Sequence, residues 1–387
     1  MRVIGLMSGT SHDAIDAVAA DIVQRADTLD VAIAGMLSRP YPATLRAQLL
    51  ATLPPNTTDI GAVCRLDTAI GQEFAATAEA ANNEFFDGTA ELIASHGQTV
   101  FHWVAEGAAL GTLQLGQPAW IAQRTGLAVV SDFRARDIAA GGQGAPLVGL
   151  FDLLWLNGRQ GHTAGLNIGG IANVTVTGDH PSAFDTGPGN ALIDAAVERL
   201  SAGTEFFDHD GTRAARGTVD DSLLKTLLAE PYYRKPSPKT TGKELFNAAY
   251  LERLPPIDPD DLVATLTALT AHTIADALAT HSPTEVIASG GGTRNPTLLT
   301  MLRERLGHAK LRTSDELGLP SAAKEAAAFA VLGFLTVHGL DGTDPGCTGA
   351  REASVLGAIT PGVNGFPRTE RPSVAPRQLT VVGHGQA

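Results

Sequence analysis

Cysteine is scarce in this sequence: its 387 residues include only Cys64 and Cys347, and neither has a C-x-x-C partner. The two cysteines therefore suggest neither a disulfide framework nor a zinc site, and they favour two buried or half-buried thiols. No long apolar run opens the chain, since residues 3–7 are apolar and Ser8 ends the run. A secretory signal or a membrane span needs a longer stretch. We therefore expect a cytoplasmic protein with no membrane partner.

Positively charged residues are also few. The sequence has 28 Lys and Arg and 41 Asp and Glu, which gives a net charge of −13. Nucleic-acid affinity depends on clustered Lys and Arg, so we expect no nucleic-acid partner. A phosphate ligand must instead be held locally, by backbone N–H groups at turns and by a metal ion. The acidity is therefore compatible with ATP.

The composition is that of a globular protein, because 44% of the residues are apolar and 18% are charged. A length of 387 residues suits two globular lobes. Strands that alternate with helices predict an α/β fold. A strand, a turn of small residues and a second strand occur at residues 3–23 and again at 165–176, which predicts a duplicated domain. The sequence predicts further strands at 31–37, 92–94, 128–131 and 285–289, helices at 66–82, 191–200, 262–278, 297–306 and 321–338, and a Gly-rich loop at 141–146.

The first turn, Ser8-Gly9-Thr10-Ser11, follows a buried strand, where small residues let backbone N–H groups approach an anion. It could cradle phosphate or be an ordinary hairpin turn. Asp13 and Asp16 come next and could offer oxygen ligands to Mg²⁺, directly or through water, or cap the turn. Gly169-Gly170-Ile171-Ala172-Asn173 raises the same question for a second turn. Gly290-Gly291-Gly292 could face a flat ligand such as adenine or be a flexible connection.

Asp185 is the candidate catalytic base, because it stands at the end of a predicted strand and precedes a turn rich in Gly and Pro. Its carboxylate could accept a proton from water or a hydroxyl, or it could cap the turn. His96 and Gln98 could hydrogen-bond a substrate or be structural. Arg134 could bind a carboxylate or pair with a neighbouring Asp. Lys324-Glu325 is typical of a solvated pair on a helix face.

Ten motifs occur in the order seen in anhydro-N-acetylmuramic acid kinases, a family that this chain resembles from about residue 3 to residue 361. They are Met7-Ser8-Gly9-Thr10-Ser11, His96-Gly97-Gln98-Thr99, Asp132-Phe133-Arg134, Gly141-Gly142-Gln143-Gly144-Ala145-Pro146-Leu147-Val148, Asn167-Ile168-Gly169-Gly170-Ile171-Ala172-Asn173, Phe184-Asp185-Thr186-Gly187-Pro188-Gly189-Asn190, Thr241-Gly242-Lys243-Glu244-Leu245-Phe246-Asn247, Ala264-Thr265-Leu266-Thr267, Gly290-Gly291-Gly292 and Lys324-Glu325-Ala326.

The resemblance implies a two-lobed, duplicated actin-like sugar-kinase fold, with mixed sheets flanked by helices and an active-site cleft between the lobes. We expect an N-terminal lobe over residues 1–135, a C-terminal lobe over 136–365 whose last long helix is able to return to the first lobe, and a disordered tail over 366–387. It further implies a homodimer that uses ATP and Mg²⁺. The reaction would be phosphorylation of 1,6-anhydro-N-acetylmuramic acid with hydrolytic opening of its anhydro ring, during cell-wall recycling.

Site roles follow from the same resemblance. Asp185 would activate water, and Asp13 and Asp16 would hold Mg²⁺. Sugar contacts would come from His96, Gln98, Arg134 and Glu325. The nucleotide would be held by Gly9, Thr10, Ser11, His12, Asp13, Ala14, Ile15, Asp16, Gly169, Gly170, Asn173, Gly290, Gly291 and Gly292.

The chain departs from the family pattern at Ala14, where Gly is usual, at Gln117, where Asp is usual, and in a shortened segment before Thr348. Ala14 would strain the first turn if its φ were positive. Gln117 removes a negative charge and could shift substrate preference. Two alternatives therefore stay open: a kinase for another small sugar, and a non-catalytic nucleotide- and sugar-binding regulator on the same fold.

Overall fold

The computed structural model describes residues 1–159, 161–237, 239–242 and 245–383. The chain divides into two compact units, one made of Met1–Asn157 with Ala323–Ala387 and the other of Gly158–Ala322. The first unit thus extends beyond the expected boundary at residue 135, and the last long helix belongs to it. Lys243 and Glu244 of the seventh motif, and residues 384–387 of the expected tail, lie outside the described residues.

The first unit contains a sheet of eight strands in the order β12-β6-β4-β1-β2-β3-β13, with β5 paired to β4. Its strands, numbered in chain order, are β1 Arg2–Ser8, β2 Ala14–Arg25, β3 Thr28–Pro40, β4 Leu92–Ala105, β5 Ala108–Leu115, β6 Ala128–Ser131, β12 Ala358–Thr360 and β13 Gln378–Val382. Its helices are α1 Ala43–Thr52, α2 Ile60–Phe86, α3 Pro118–Thr125, α4 Phe133–Ala139, α5 Val148–Leu156, α12 Lys324–Val337 and α13 Pro345–Thr348.

The second unit contains a five-stranded sheet in the order β11-β10-β7-β8-β9. Its strands are β7 Thr163–Ile168, β8 Ile171–Val176, β9 Ser182–Pro188, β10 Glu285–Ser289 and β11 Lys310–Thr313. Its helices are α6 Ala191–Leu200, α7 Thr212–Arg216, α8 Asp221–Leu227, α9 Ala248–Leu251, α10 Pro259–Ala279 and α11 Pro296–Leu306, with short 3₁₀ turns at Pro231–Arg234 and Gly291–Arg294 among its connections.

The two sheets share one topology. In the first unit β1, β2 and β3 form an antiparallel meander, and β4 and β6 follow β1 in parallel on its other side. In the second unit β7, β8 and β9 form the meander, and β10 and β11 follow β7 in parallel. Five strands with the same order and directions in both halves confirm the expected duplicated α/β fold of mixed sheets flanked by helices.

Helix α12 packs directly on β1 because Gly5 has no side chain. A Cβ atom at Gly5 would lie 2.0 Å from the carbonyl oxygen of Ala326, so no other residue fits there without moving the helix. The contact repeats along the helix, where a Cβ at Gly333 would lie 2.5 Å from the Cβ of Ala94 on β4. This close approach explains why the last long helix folds with N-terminal strands.

Helix α10 is long and apolar enough, by length and composition, to cross a membrane. In the structure 78% of its most apolar window is buried inside the protein, as expected for a core helix. Cys347 is buried as predicted, whereas Cys64 on α2 is exposed, so the expectation of burial is wrong for Cys64.

The segment expected to be a disordered tail contains strand β13, which pairs in parallel with β3 from Gln378↔Thr28 to Val382↔Ala32. Leu379 on this strand is buried. A five-residue strand has little signal of its own, and its partner lies far away in the sequence, so local composition does not reveal it.

Candidate active site

The turn between β1 and β2 takes its left-handed conformation at His12, whose φ is 54°. Ala14 does not have a positive φ: it is the first residue of β2 and pairs with Pro40. The methyl group of Ala14 therefore causes no backbone strain, which removes the doubt attached to this departure. Thr10, Ser11 and Asp13 are exposed at the tip, and a Cβ at Gly9 would meet no atom within 4 Å.

Gln98 supports this turn from below and is completely buried. Its Nε2 donates to the carbonyl oxygens of Gly9 and Thr99, each at 3.2 Å. Its Oε1 lies 2.8 Å from the Oγ of Ser8 and accepts from the hydroxyl of Tyr41 at 3.3 Å. With its amide engaged on both sides by protein groups, Gln98 is built to hold the turn in place.

Asp13 and Asp16 provide the oxygen donors that Mg²⁺ prefers. Asp13 is exposed and accepts a short hydrogen bond from Ser11, and Asp16 is half-buried on β2 opposite Met7. Within the described residues no group of three or more His, Cys, Asp or Glu could hold a metal. The donor set therefore fits a hydrated cation held by one or two carboxylates and a phosphate ligand, and does not fit an all-protein cage.

His96 and Gln98 lie within a strand, although the sequence predicts that the strand ends at residue 94. Strand β4 continues because Gly97, with a φ of 75°, lets the chain bulge and pair onward with β5. The Nδ1 atom of His96 contacts the carbonyl of Gly97 at 2.8 Å, and its Nε2 accepts from the Nε of Arg134 at 3.0 Å. Burial, followed by the Arg134 charge, lowers the pKa of His96 well below its usual value, so the ring is neutral.

Arg134 is the second residue of α4, a short helix that the sequence does not predict. Its Nη1 donates to the carbonyl of Gly144 at 2.6 Å. The N–H of Gly144 in turn donates to Asp137 at 2.7 Å, and Thr343 and Thr348 donate to the same fully buried carboxylate. Asp137 thus fixes the Gly-rich loop that supports Arg134.

Lys324 is buried, so the interpretation of Lys324-Glu325 as a solvated pair is wrong for the lysine. Its Nζ lies 2.7 Å from Oδ1 of Asp152 and 5.9 Å from the ring centroid of Trp155. Both partners are on α5, whose residues are otherwise almost all apolar. A lone carboxylate in such a helix is a signal that a buried cation faces it. Glu325 is half-buried at the start of α12.

Gln117 lies at the N-cap of α3, where its Oε1 accepts from the N–H of Ala119 at 3.4 Å. Asp, which is usual at this position, is also a strong N-cap residue. The side chain at position 117 therefore caps α3, and either Gln or Asp can do so.

In the second unit, Gly169-Gly170 forms the turn between β7 and β8. The N–H groups of Asn190 and Ala191, at the start of α6, donate to the carbonyls of Gly169 and Gly170 at 2.8 and 3.0 Å. A Cβ at Gly189 would lie 2.3 Å from the carbonyl oxygen of Gly169, so this close approach needs glycine. Helix α6 begins at the predicted residue and fixes the turn.

Asp185, which the sequence places at the end of a strand, lies inside β9, and the strand continues for three more residues. Pairing continues to Pro188, because Gly187, with a φ of 155°, accommodates the shifted register between β8 and β9. Asp185 stands opposite Asn173 of β8 and is half-buried. Its Oδ2 accepts from the backbone N–H of Thr241 at 2.9 Å. The carboxylate is therefore held on a sheet strand by a backbone N–H from a distant part of the chain.

Two further hydrogen bonds brace the backbone of Asp185, and the sequence gives no local sign of them. The hydroxyl of Tyr232 donates to the carbonyl of Asp185 at 2.9 Å, and the N–H of Asp185 donates to the carbonyl of Lys239 at 3.0 Å. The Nζ of Lys239 donates to the carbonyl of Tyr233 at 3.0 Å and lies 4.9 Å from the Tyr232 ring centroid. Burial, followed by repulsion from Lys235, lowers the pKa of Lys239, and the Asp185 charge opposes this.

The three glycines after β10 are not equivalent. Gly290 has a φ of 84°, and a Cβ there would lie 2.5 Å from Oδ1 of Asn167. A Cβ at Gly292 would lie 2.3 Å from the side chain of Ile168, whereas one at Gly291 would meet nothing within 4 Å. Gly290 and Gly292 therefore pack against the end of β7, and Gly291 is the one that presents open backbone.

Within the first unit the structure brings together Ser8, Gly9 and Gln98, and separately His96 and Arg134. Within the second it brings Asn173 opposite Asp185, and Gly290 against Asn167. A duplicated core of this topology, with small-residue turns after its first strands, is the one expected for the actin-like sugar-kinase fold class.

Comparison with known proteins makes the assignment specific. The family model for anhydro-N-acetylmuramic acid kinase matches residues 1–362. Proteins with that name from Streptomyces avermitilis, Rhodococcus erythropolis and Streptomyces coelicolor are 60%, 57% and 55% identical to this chain. The alignments cover 98%, 98% and 99% of this chain and 100%, 99% and 100% of those proteins. The chain belongs to the anhydro-N-acetylmuramic acid kinase family and is an enzyme, a kinase.

Proposed function

We propose that the protein uses ATP to phosphorylate 1,6-anhydro-N-acetylmuramic acid, opens its anhydro ring hydrolytically, and releases N-acetylmuramic acid 6-phosphate and ADP during cell-wall recycling. The observation that carries the proposal is the placement of Asp185. Its carboxylate accepts the Thr241 N–H, while Tyr232 and Lys239 hold its backbone. A base that activates water needs this fixed placement.

The chemistry follows from the substrate, because O6 is part of the anhydro bridge. Phosphorylation at O6 therefore requires the C1–O6 bond to break. In the proposed reaction a water oxygen bonds to C1, its proton passes to the Asp185 carboxylate, and O6 leaves C1 and bonds to the γ-phosphorus as the bond to ADP breaks. One base and a well-aligned phosphoryl donor account for both events.

The nucleotide groups are assigned by the same proposal. The turn over residues 9–16 and the Gly169-Gly170 turn with Asn173 would bind the phosphates of ATP through backbone N–H groups. Asp13 and Asp16 would hold Mg²⁺, which neutralises phosphate charge when bound. Gly291 would face adenosine, and Gly290 and Gly292 would keep its backbone in place, as their packing on β7 favours.

Arg134 and Glu325 are proposed to contact the sugar. The hydrogen bonds of Gln98 favour a supporting role beneath the first turn. Those of His96 favour a supporting role beside Arg134. We also propose a homodimer in the cytoplasm; light scattering coupled to size-exclusion chromatography tests the dimer.

The deciding experiment measures ADP release with 1,6-anhydro-N-acetylmuramic acid, with a panel of ordinary hexoses and amino sugars, and with no sugar. Mass spectrometry of the product distinguishes the mechanisms. We expect a product heavier than the substrate by one phosphoryl group and one water. A gain of the phosphoryl group alone would indicate transfer to a free hydroxyl without ring opening. Turnover only with another sugar, or ATP binding without any turnover, would refute the proposal.

A further inference from the structure

The partners of the Arg134 guanidinium include two acceptors on different elements. Its Nε donates to Nε2 of His96 on β4 at 3.0 Å, and its Nη1 donates to the carbonyl of Gly144 at 2.6 Å. Because the guanidinium is planar and rigid, fixing two of its nitrogens fixes the orientation of the whole plane. A carboxylate bound by such a group is recognised by geometry as well as by charge.

The contact with Arg134 determines the tautomer of His96. A guanidinium only donates hydrogen bonds, so Nε2 of His96 is the acceptor and the ring proton is on Nδ1. Nδ1 then donates to the carbonyl of Gly97 at 2.8 Å. The ring is 3% exposed and packs against Phe329, with 4.6 Å between ring centroids. With both nitrogens bonded to protein groups, the imidazole acts on a ligand through Arg134.

The second acceptor is equally fixed. Gly144 donates its N–H to Asp137, which is fully buried and also accepts from Thr343 at 3.1 Å and from Thr348 at 2.6 Å. The peptide group of Gly144 therefore cannot rotate away without leaving a buried carboxylate short of a donor, which is costly. Arg134 is held between two rigid acceptors, one of which is the histidine.

We infer that His96 is a positioning residue for specificity: it orients the Arg134 guanidinium to bind a carboxylate on the sugar, and so selects sugars that carry an acidic substituent. The inference rests on the proposed function, whose substrate carries a lactyl carboxylate. It goes beyond that function because His96 does not contact the sugar. His96 contributes to the preference for acidic sugars by orienting Arg134.

The test compares two ligands by isothermal titration calorimetry without ATP: 1,6-anhydro-N-acetylmuramic acid and its uncharged lactyl N-methylamide. The variants are His96→Gln, whose Oε1 can replace the Nε2 acceptor, and His96→Asn and His96→Leu, which cannot. His102→Leu, on the same strand, is the matched control, since Nδ1 of His102 contacts Thr112. Thermal unfolding of each variant shows whether it is folded.

We expect the wild type, His96→Gln and His102→Leu to bind the acid more tightly than the amide. His96→Asn and His96→Leu should bind the acid about 5- to 20-fold more weakly, as expected for losing one charge-assisted hydrogen bond, with amide binding unchanged. Equal weakening of both ligands, or an unchanged acid preference in His96→Leu, would overturn the inference. So would a wild type that does not distinguish the ligands, even if it turns over the anhydro sugar. A wild type that binds neither ligand would instead refute the proposed function and, with it, this inference.

Discussion

The backbone N–H of Thr241 donates a hydrogen bond of 2.9 Å to Oδ2 of Asp185, although 56 residues separate the two in sequence. A donor aimed at a carboxylate oxygen stabilises the ionised form, the form that accepts a proton. The same contact restrains the orientation of the carboxylate. Two residues before Thr241, the carbonyl of Lys239 accepts from the Asp185 N–H and holds the backbone of Asp185. The segment that contains Lys239 and Thr241 thus helps to orient the proposed base.

Asp185→Asn should separate catalysis from structure. The Asn side-chain oxygen can still accept from Thr241, so the fold is retained, but the amide cannot take a proton from water. We expect kcat to fall by about 10²- to 10⁴-fold, with ATP affinity within about twofold of wild type. ADP release measures the first quantity and calorimetric titration with ATP the second.

The matched control is Asp179→Asn, an exposed carboxylate in the turn between β8 and β9. It should keep wild-type activity, because it removes the same charge from the surface of the same unit. Ring opening by Asp185→Asn at close to the wild-type rate would show that another group activates the water.

The glycines after β10 give a paired prediction. Gly290→Ala places a Cβ 2.5 Å from Asn167 Oδ1 at a φ of 84°, which should destabilise the protein by about 2 kcal/mol or more. Gly291→Ala meets nothing within 4 Å and should leave stability unchanged. If Gly291 faces adenosine, Gly291→Ala should still raise the KM for ATP several-fold. Urea unfolding and ATP titration of the activity test both, and an unchanged KM for Gly291→Ala would remove this glycine from the nucleotide site.

Local pattern predicts much of this fold. Strands β6 and β10 and helix α6 have the predicted bounds, because each combines an apolar run with a clear stop. The predictions fail where pairing with another strand extends an element. Strand β4 runs past its apolar part because β5 pairs with it, and β13 forms only because β3 offers an edge. Such pairings depend on distant residues that local periodicity does not contain.

The same limit applies to the site. The sequence identifies Asp185, Arg134 and the glycine turns as candidates, since their residue types and positions beside strands are local features. Their supports are not local: Tyr232 reaches the Asp185 carbonyl across 47 residues, and Thr348 reaches Asp137 across 211. Asp152, the buried partner of Lys324, differs from these supports. A carboxylate among the apolar residues of α5 is a local feature of the sequence.

The buried pair of Lys324 and Asp152 predicts a large stability effect. Lys324→Met leaves the Asp152 carboxylate buried without its partner and should cost about 3–5 kcal/mol. The double variant Lys324→Met with Asp152→Leu removes both charges and should recover most of that loss. Free energies of unfolding in urea measure both effects. If Lys324→Met costs under about 1 kcal/mol, the pair is not the buried contact seen in the structure.

His96 predicts a pH dependence of stability. Burial and the Arg134 charge keep the pKa of His96 in the folded protein well below the usual 6.5. As the pH falls through about 6.5, the unfolded chain takes up a proton at this residue and the folded protein does not. The unfolded state is favoured, so the stability contributed by the neutral ring is present above that pH and declines below it.

His96→Gln cannot take up this proton, and its Oε1 can still accept from Arg134. Between pH 7.5 and pH 5.5 the wild type should therefore lose about 1.4 kcal/mol more unfolding free energy than His96→Gln. Burial also lowers the pKa of His102, His272 and His281, but these residues are unchanged in the variant and their contributions cancel in the difference. Urea unfolding of both proteins at the two pH values gives the comparison. Parallel pH profiles would mean that His96 is protonated as readily in the folded protein as in the unfolded chain, which a neutral acceptor buried against Arg134 does not allow.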